Sequence, residues 1–173
     1  MTRLLALLLI LIGPYAFGQN QSESALLQEL DGYEFGFHMG RLLPNQIDGA
    51  TEIIPLWGLR GGIGWGGVTT EFGYIGGNGE GVKWNDVHIS ARANIPVETL
   101  VGHVYIGIDL IDYQGANGEE ITRGSGHVGG GILNRIAPGV WFRGDMKFNV
   151  NPGTSMYLGF GFTIAVPSGG GGA

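Results

Sequence analysis

The chain has 173 residues, no cysteine, a formal net charge of −6 and only 14% charged residues beside 35 glycines. Without cysteine there is neither a disulfide scaffold nor an N-terminal lipoprotein anchor, and the acidic balance, with no basic cluster, excludes nucleic acid as a partner. The glycines lack a three-residue period and sit among strand formers, which excludes collagen and low-complexity disorder.

Arg3, the apolar run Leu4 to Ile12, the break at Gly13-Pro14 and the small residues Ala16 and Gly18 read as a secretory signal over residues 1–18, cleaved before Gln19. An apolar run of about nine residues is too short for a transmembrane helix, which needs about twenty. The remainder, about 155 residues, is one domain by size. Residues 19–31 form a periplasmic leader, in which Ala25 to Leu30 reads either as two helical turns with one apolar edge or as disordered chain.

Eight strands follow. In the first, Gly32 to Gly40, Tyr33, Phe35, Phe37 and Met39 alternate with Glu34, Gly36, His38 and Gly40, the period of a two-faced strand. Arg41 to Thr51 connects it to a second strand, Glu52 to Trp65, with Ile53, Trp57, Leu59, Ile63 and Trp65 opposite Arg60, Gly62 and Gly64. Gly66-Gly67 predicts a tight hairpin into Val68–Ile75, where Val68, Phe72 and Tyr74 oppose Thr69, Glu71 and Gly73. Gly76 to Gly81 reads as a turn. In the fourth strand, Val82 to Ile95, a shift of parity near Asn85-Asp86 predicts a bulge; beyond it Val87, Ile89, Ala91, Ala93 and Ile95 oppose His88, Ser90, Arg92 and Asn94. After Pro96-Val97-Glu98 the fifth, Leu100 to Tyr113, sets Val104, Ile106, Ile108 and Leu110 against His103, Tyr105, Gly107 and Asp109. Gln114 to Glu120 is a loop. The sixth, Ile121 to Leu133, alternates Val128, Gly130 and Ile132 with His127, Gly129 and Gly131, and Asn134 to Pro138 turns. The seventh, Val140 to Asn149, sets Phe142, Met146 and Phe148 against Arg143, Asp145 and Lys147. After Asn151-Pro152-Gly153, the eighth, Ser155 to Val166, opposes Leu158, Phe160, Phe162 and Ile164 to Tyr157, Gly159, Gly161 and Thr163, and 167–173 is a glycine-rich tail.

A continuous apolar face opposite one of charges, histidines and glycines fits a wall whose outside meets lipid. The strands are even in number and mostly long enough to cross a bilayer at a tilt. Connections two, four and six are short, as periplasmic turns are. The reading is therefore an all-β, eight-stranded, antiparallel, up-and-down transmembrane barrel over residues 32–166; a periplasmic lipocalin-like barrel is the alternative. Trp57, Tyr74, Trp84 and Tyr113 are assigned to the outer membrane–water interface and Tyr33, Trp65 and Trp141 to the inner one.

The stretch from Gly126, GHVGGGILNRIAPGVWFRGDMKFN, then SMYLGFGFTIAV, resembles the closing half of small OmpA-type outer-membrane barrels, in which a glycine-rich strand leads through a short turn to a strand carrying Arg-x-Asp. Gly129, Gly130, Gly131, Arg143 and Asp145 carry the likeness, with Gly159 and Gly161 in the last strand. It implies the same fold and says almost nothing of activity. The chain departs from the pattern at its end: it runs past Val166 into the glycine tail instead of stopping on an aromatic residue.

The lumen of eight strands is just wide enough for side chains to fill. Glu34, Arg60, Glu71, Arg92, Asp109, Arg143, Asp145 and Lys147 face it, four acids and four bases, and partly desolvated charges persist there only when paired. A salt-bridged plug is expected, with inward glycines making room for the arginines. His38, His88, His103 and His127 join the same interior as hydrogen-bonding groups in preference to metal ligands or catalytic bases. Ser90 with His88, and Ser125 with His127, are the nearest approaches to a hydrolytic pair, and neither has the parts of a triad. The expectation is a non-enzymatic protein of the bacterial outer membrane, without metal or cofactor, surrounded by membrane lipid and structural or partner-binding in the envelope. The alternatives are a narrow ion or small-solute channel and, further off, a lipid-modifying hydrolase.

Overall fold

The computed structural model describes residues 21–168, apart from residues 48, 49, 51, 80 and 152. The signal segment and the glycine tail beyond Ser168 lie outside the described residues. A helix, α1 (Gln21–Leu30), precedes eight strands: β1 (Gly32–Asn45), β2 (Ile54–Trp65), β3 (Val68–Gly79), β4 (Val82–Val97), β5 (Leu100–Gln114), β6 (Glu120–Ala137), β7 (Val140–Asn149) and β8 (Thr154–Pro167). Each pairs antiparallel with its neighbour in the chain, and β1 pairs with β8 from Gly32↔Pro167 to Asn45↔Thr154, closing an up-and-down barrel. Closure leaves no strand edge unpaired, which is what allows a sheet to sit in a medium without water.

The wall is apolar outside. Tyr33, Phe35, Phe37 and Met39 of β1, Val104, Ile106, Ile108 and Leu110 of β5, and Leu158, Phe160, Phe162 and Ile164 of β8 are all exposed, whereas Glu34, His38, Asp109 and Thr163 on the alternate positions are buried. A soluble barrel has the reverse arrangement, so this exterior removes the lipocalin-like alternative. Connections two, four and six are two-residue turns, at 66–67, 98–99 and 138–139. In the first, Gly66 and Gly67 take φ of +58° and +81°, the left-handed pair that a twisted hairpin demands and glycine supplies without strain. The opposite end carries the longer connections, among them 46–53 and 115–119.

The strands depart from the sequence reading mainly at their ends. Gly76 to Gly79 remain in β3, leaving a two-residue turn, and β6 runs four residues past Leu133, with its register shift between Arg135 and Ala137. The bulge expected at Asn85-Asp86 is absent: β4 pairs without a break with both β3 and β5. Even-numbered residues of β4 therefore face inward throughout, and Trp84 is only 1% exposed. It stacks on Tyr113, ring centroids 5.8 Å apart, and Tyr113 is likewise buried. Trp141 is fully buried at the other end. These three do not belong to the interface aromatics. Each sits near a strand end, where the interior itself turns apolar. Tyr33, Trp57 and Trp65 are exposed on the outer wall, and Tyr74 is half-buried there against Trp57.

The interior is layered. At the long-connection end Leu42, Ile54, Leu56, Ile75, Val82, Trp84, Ile111, Tyr113 and Tyr157 pack together, joined by Ile47 and Ala50 of the first connection. At the short-turn end Leu30 of α1 packs with Val101, Leu133, Trp141 and Ala165, and Leu26 backs it. The helix is held at that mouth by polar contacts as well. Glu29 accepts a 2.6 Å hydrogen bond from the Gly139 amide and pairs with Arg135 at 2.7 Å, and the Ser168 amide donates to the Asp31 carbonyl. Between the two apolar layers lies the charged one.

Candidate functional site: the charged layer of the lumen

Successive strands deliver one or two long polar side chains each to a common level, because every second residue must point inward. Arg92 of β4 is the hub of the first cluster. Its Nη2 donates to Glu34 of β1 at 2.6 and 2.9 Å and to Thr69 of β3 at 3.0 Å; Nη1 donates to Glu71 of β3 at 2.7 Å, and Nε to Asn94 at 2.9 Å. Arg143 of β7 reaches the same Glu71 through both Nη atoms and also engages Asp145, whose Oδ1 lies 3.0 Å from Nη2. Asp145 accepts further bonds from Arg60 of β2 at 2.8 Å and from His103 of β5 at 2.9 Å. Three carboxylates thus alternate with three guanidiniums across the lumen. The forked guanidinium suits this role, since it can donate to two acids at once in a fixed plane.

The second cluster centres on Lys147 of β7. Its ammonium donates to Asp86 of β4, at 2.6 Å, and to Asp109 of β5. His127 of β6 donates from Nδ1 to Asp109 at 2.8 Å, and its Nε2 lies 2.9 Å from the hydroxyl of Ser90 on β4. His88 stands 3.5 Å from Asp86. Asp86 is absent from the residues assigned to the lumen by sequence, since the supposed bulge obscured its facing. The unbroken even parity from Val82 to Asn94 was the signal that identifies it. Asp86, His88 and Asp109 place ligand atoms within 4.8 Å of one another, but the Lys147 ammonium already lies between the two carboxylates and supplies the cation. His38 sits apart from both clusters, with Nδ1 2.8 Å from the hydroxyl of Tyr157.

The inward glycines serve flat rings more than arginines. A Cβ on Gly58, Gly73 or Gly107 would collide with His38, His88 or His127, and one on Gly129 or Gly159 with Tyr105 or Tyr157; Gly36 alone of these clears Arg60.

Ser90, His127 and Asp109 lie in the order hydroxyl, imidazole, carboxylate, at the distances of a nucleophile, its base and the group that orients it. No same-strand pair forms this line; it crosses β4, β5 and β6, which is why neighbouring positions in sequence did not disclose it. The surroundings oppose catalysis. Ser90 is 4% exposed, Asp109 shares its charge with Lys147, and the apolar layers separate the hydroxyl from either mouth. Ser125, by contrast, donates to the Gly126 carbonyl, not to a histidine.

No protein-family model matches the sequence, and no curated protein matches it. Solved structures do. The N-terminal β-barrel domain of OprF from Pseudomonas aeruginosa superposes with a TM-score of 0.61 at 14% identity, over 78% of this chain and 98% of that one. Neisserial surface protein A (NspA) gives 0.63 at 11% identity, over 78% and 96%. The outer-membrane protein OprG from Pseudomonas aeruginosa gives 0.53 at 9%, over 80% and 99%. At such identities the likeness is one of fold, and the chain has the fold of the eight-stranded outer-membrane barrels.

Proposed function

We propose that this protein resides in the bacterial outer membrane as a sealed, non-enzymatic barrel that stabilises the membrane or presents a binding surface in the envelope. The observation that carries the reading is the combination of an apolar exterior with an interior closed three times over. Apolar layers occupy both mouths, and a cross-linked charged layer lies between them. Such an exterior is stable only against lipid tails, and the apolar layers near both mouths oppose the passage of a polar solute. The secretory signal over residues 1–18 and the short turns at the α1 end support export and an orientation with α1 in the periplasm.

A narrow water-conducting path is the second reading. Among the described residues, His38 Nε2, His103 Nδ1, Trp141 Nε1, Asn149 Nδ2, Ser155 Oγ and Thr163 Oγ1 are buried without a hydrogen-bond partner, and they fall on β1, β5, β7 and β8. Buried polar atoms of this kind are ordinarily served by water. Planar-bilayer recording separates the readings. The sealed barrel gives no discrete openings, whereas steady ion-selective steps from the purified protein would establish the channel.

A further inference from the structure

We infer that the outer wall carries a binding site for an anionic, phosphate-bearing lipid headgroup, in a cleft near the long-connection ends of β2–β5. The inference rests on the membrane placement proposed above. The cleft has a volume of about 610 Å³; Trp57, Tyr74, Asn78, Lys83, Asn85 and Gln114 line it from outward positions, and the inward-facing Val82 borders it at the turn.

Register arranges them in rows. Asn78, Lys83 and Gln114 are direct cross-strand neighbours and form a polar row close to the rim. Further from the rim Trp57, Gly76 and Asn85 share a row. Below that come Leu59, Tyr74, Val87 and Leu110, of which all but Tyr74 are exposed and apolar. The aromatic floor is built, not incidental. The Tyr74 hydroxyl donates to Asn85 Oδ1 at 2.8 Å, and its ring meets Trp57 edge-on with centroids 5.7 Å apart. That hydroxyl passes so close over Gly76 that a Cβ there would strike it. The ring is thereby laid along the wall, and the glycine keeps the floor of the cleft low.

This gradient has the shape of an amphiphile. Lys83 offers an exposed ammonium, a compact charge suited to phosphate. Asn78 and Gln114 on either side offer amides for phosphate or hydroxyl oxygens. Two acids adjoin the cleft in register, Asp112 opposite Asn85 and Glu120 opposite Gln114; Asp112 accepts from Thr122 at 3.1 Å, and neither lines the cleft. Tryptophan and tyrosine at the base occupy the level where amphipathic rings settle in a bilayer. The apolar row beneath continues without interruption into Phe72, Ile89 and Ile108, a track for acyl chains. A soluble phosphate compound would use the upper row and leave this track unused, so the occupant is a lipid.

The test uses the protein refolded into phosphatidylcholine vesicles doped with phosphatidylglycerol, extracted in mild detergent and examined by native mass spectrometry. Wild type should retain phosphatidylglycerol in preference to phosphatidylcholine. Lys83→Gln should lower that retention about fivefold, the loss of one ammonium near a phosphate, and Tyr74→Leu should lower it too. Arg123→Gln, an exposed cation outside the cleft, should leave it unchanged. Heat-modifiable gel migration reports insertion separately. A wild type that never inserts overturns the membrane placement and the site with it. An inserted wild type that retains both lipids equally, or a Lys83→Gln variant that retains as much as wild type, overturns the site alone. Displacement by free glycerol phosphate as effective as by lipid would refute the assignment to a lipid.

Discussion

Replacing Arg92 by Met tests the charged layer at its hub. The side chain is 0% exposed, and it is the cation that Glu34 pairs with; Glu71 retains Arg143 when Arg92 is lost. Hydrogen bonds to charged groups contribute about 1.5–3 kcal/mol each, so the bonds to Glu34 and Glu71 set a ceiling of several kcal/mol. Methionine refills most of the volume and Glu71 stays paired, which leaves a stranded Glu34 as the main cost. Removing one partner of a buried pair costs about 3–5 kcal/mol, and that is the expected loss. Urea titration in lipid vesicles, followed by tryptophan fluorescence, measures it as a drop in midpoint at constant slope. Adding Glu34→Leu to the variant removes the orphan charge and should return stability to within about 2 kcal/mol of wild type. If Arg92→Met alone changes stability by less than about 1 kcal/mol, as for a solvated surface pair, the layer is bathed in water and the sealed interior is wrong.

The other faces of the wall make distinct predictions. Phe160 is 53% exposed near the middle of β8; Phe160→Arg should cost about 2–4 kcal/mol through lipid contact, read by the same titration. Trp84→Ala should cost about 3–5 kcal/mol because it empties a packed apolar layer. Trp57→Ala, at a position 48% exposed on the outer wall, should cost less than about 2 kcal/mol; equal losses for the two tryptophans would contradict their opposite facings. A fluorophosphonate probe should leave Ser90 unlabelled in the folded protein. Stoichiometric labelling that disappears in His127→Ala would show an accessible nucleophile and reopen the hydrolase reading.

Most of the barrel was legible because the alternation of Tyr33 to Gly40, or of Leu158 to Thr163, admits one facing only. Legibility failed near the rims, where the inward face turns apolar; around Trp84 and Tyr113 it is the outward neighbours Lys83, Asn85, Asp112 and Gln114 that are polar. Near Trp84, Tyr113 and Trp141 an aromatic residue fits an interfacial girdle and an internal cap equally well by type, and only pairing register decides between them. A bulge at Asn85-Asp86 would reverse the facing of the residues before it, and that reading hides Asp86. Membership of the lumen could be read for Glu34, Arg60, Glu71, Arg92 and Asp109, and Glu71 and Arg60 could be named among the candidate partners of Arg143 and Asp145, but the full pairing pattern could not. Which inward residues share a level depends on the stagger between strands, a property of the closed barrel and not of any one segment. The line from Ser90 through His127 to Asp109 was invisible for the same reason.

The charged layer also bears on the order of assembly. Glu34 stands on the first strand and Arg143 and Asp145 on the seventh, joined through Glu71 and Arg92 on the third and fourth, so no hairpin contains a complete set of partners. A partly curled sheet would carry these groups unpaired toward a medium that penalises them, while the β1–β8 seam joins positions more than a hundred residues apart and its closure is entropically late. Intermediates are therefore poor compromises on both counts, and insertion should proceed as a single cooperative event in which the ionic layer zips shut as the seam closes. Once formed, the same interlock makes departure slow: the barrel can open only by breaking seam and layer together, so the protein is held in place by the height of a barrier as much as by the depth of its energy minimum.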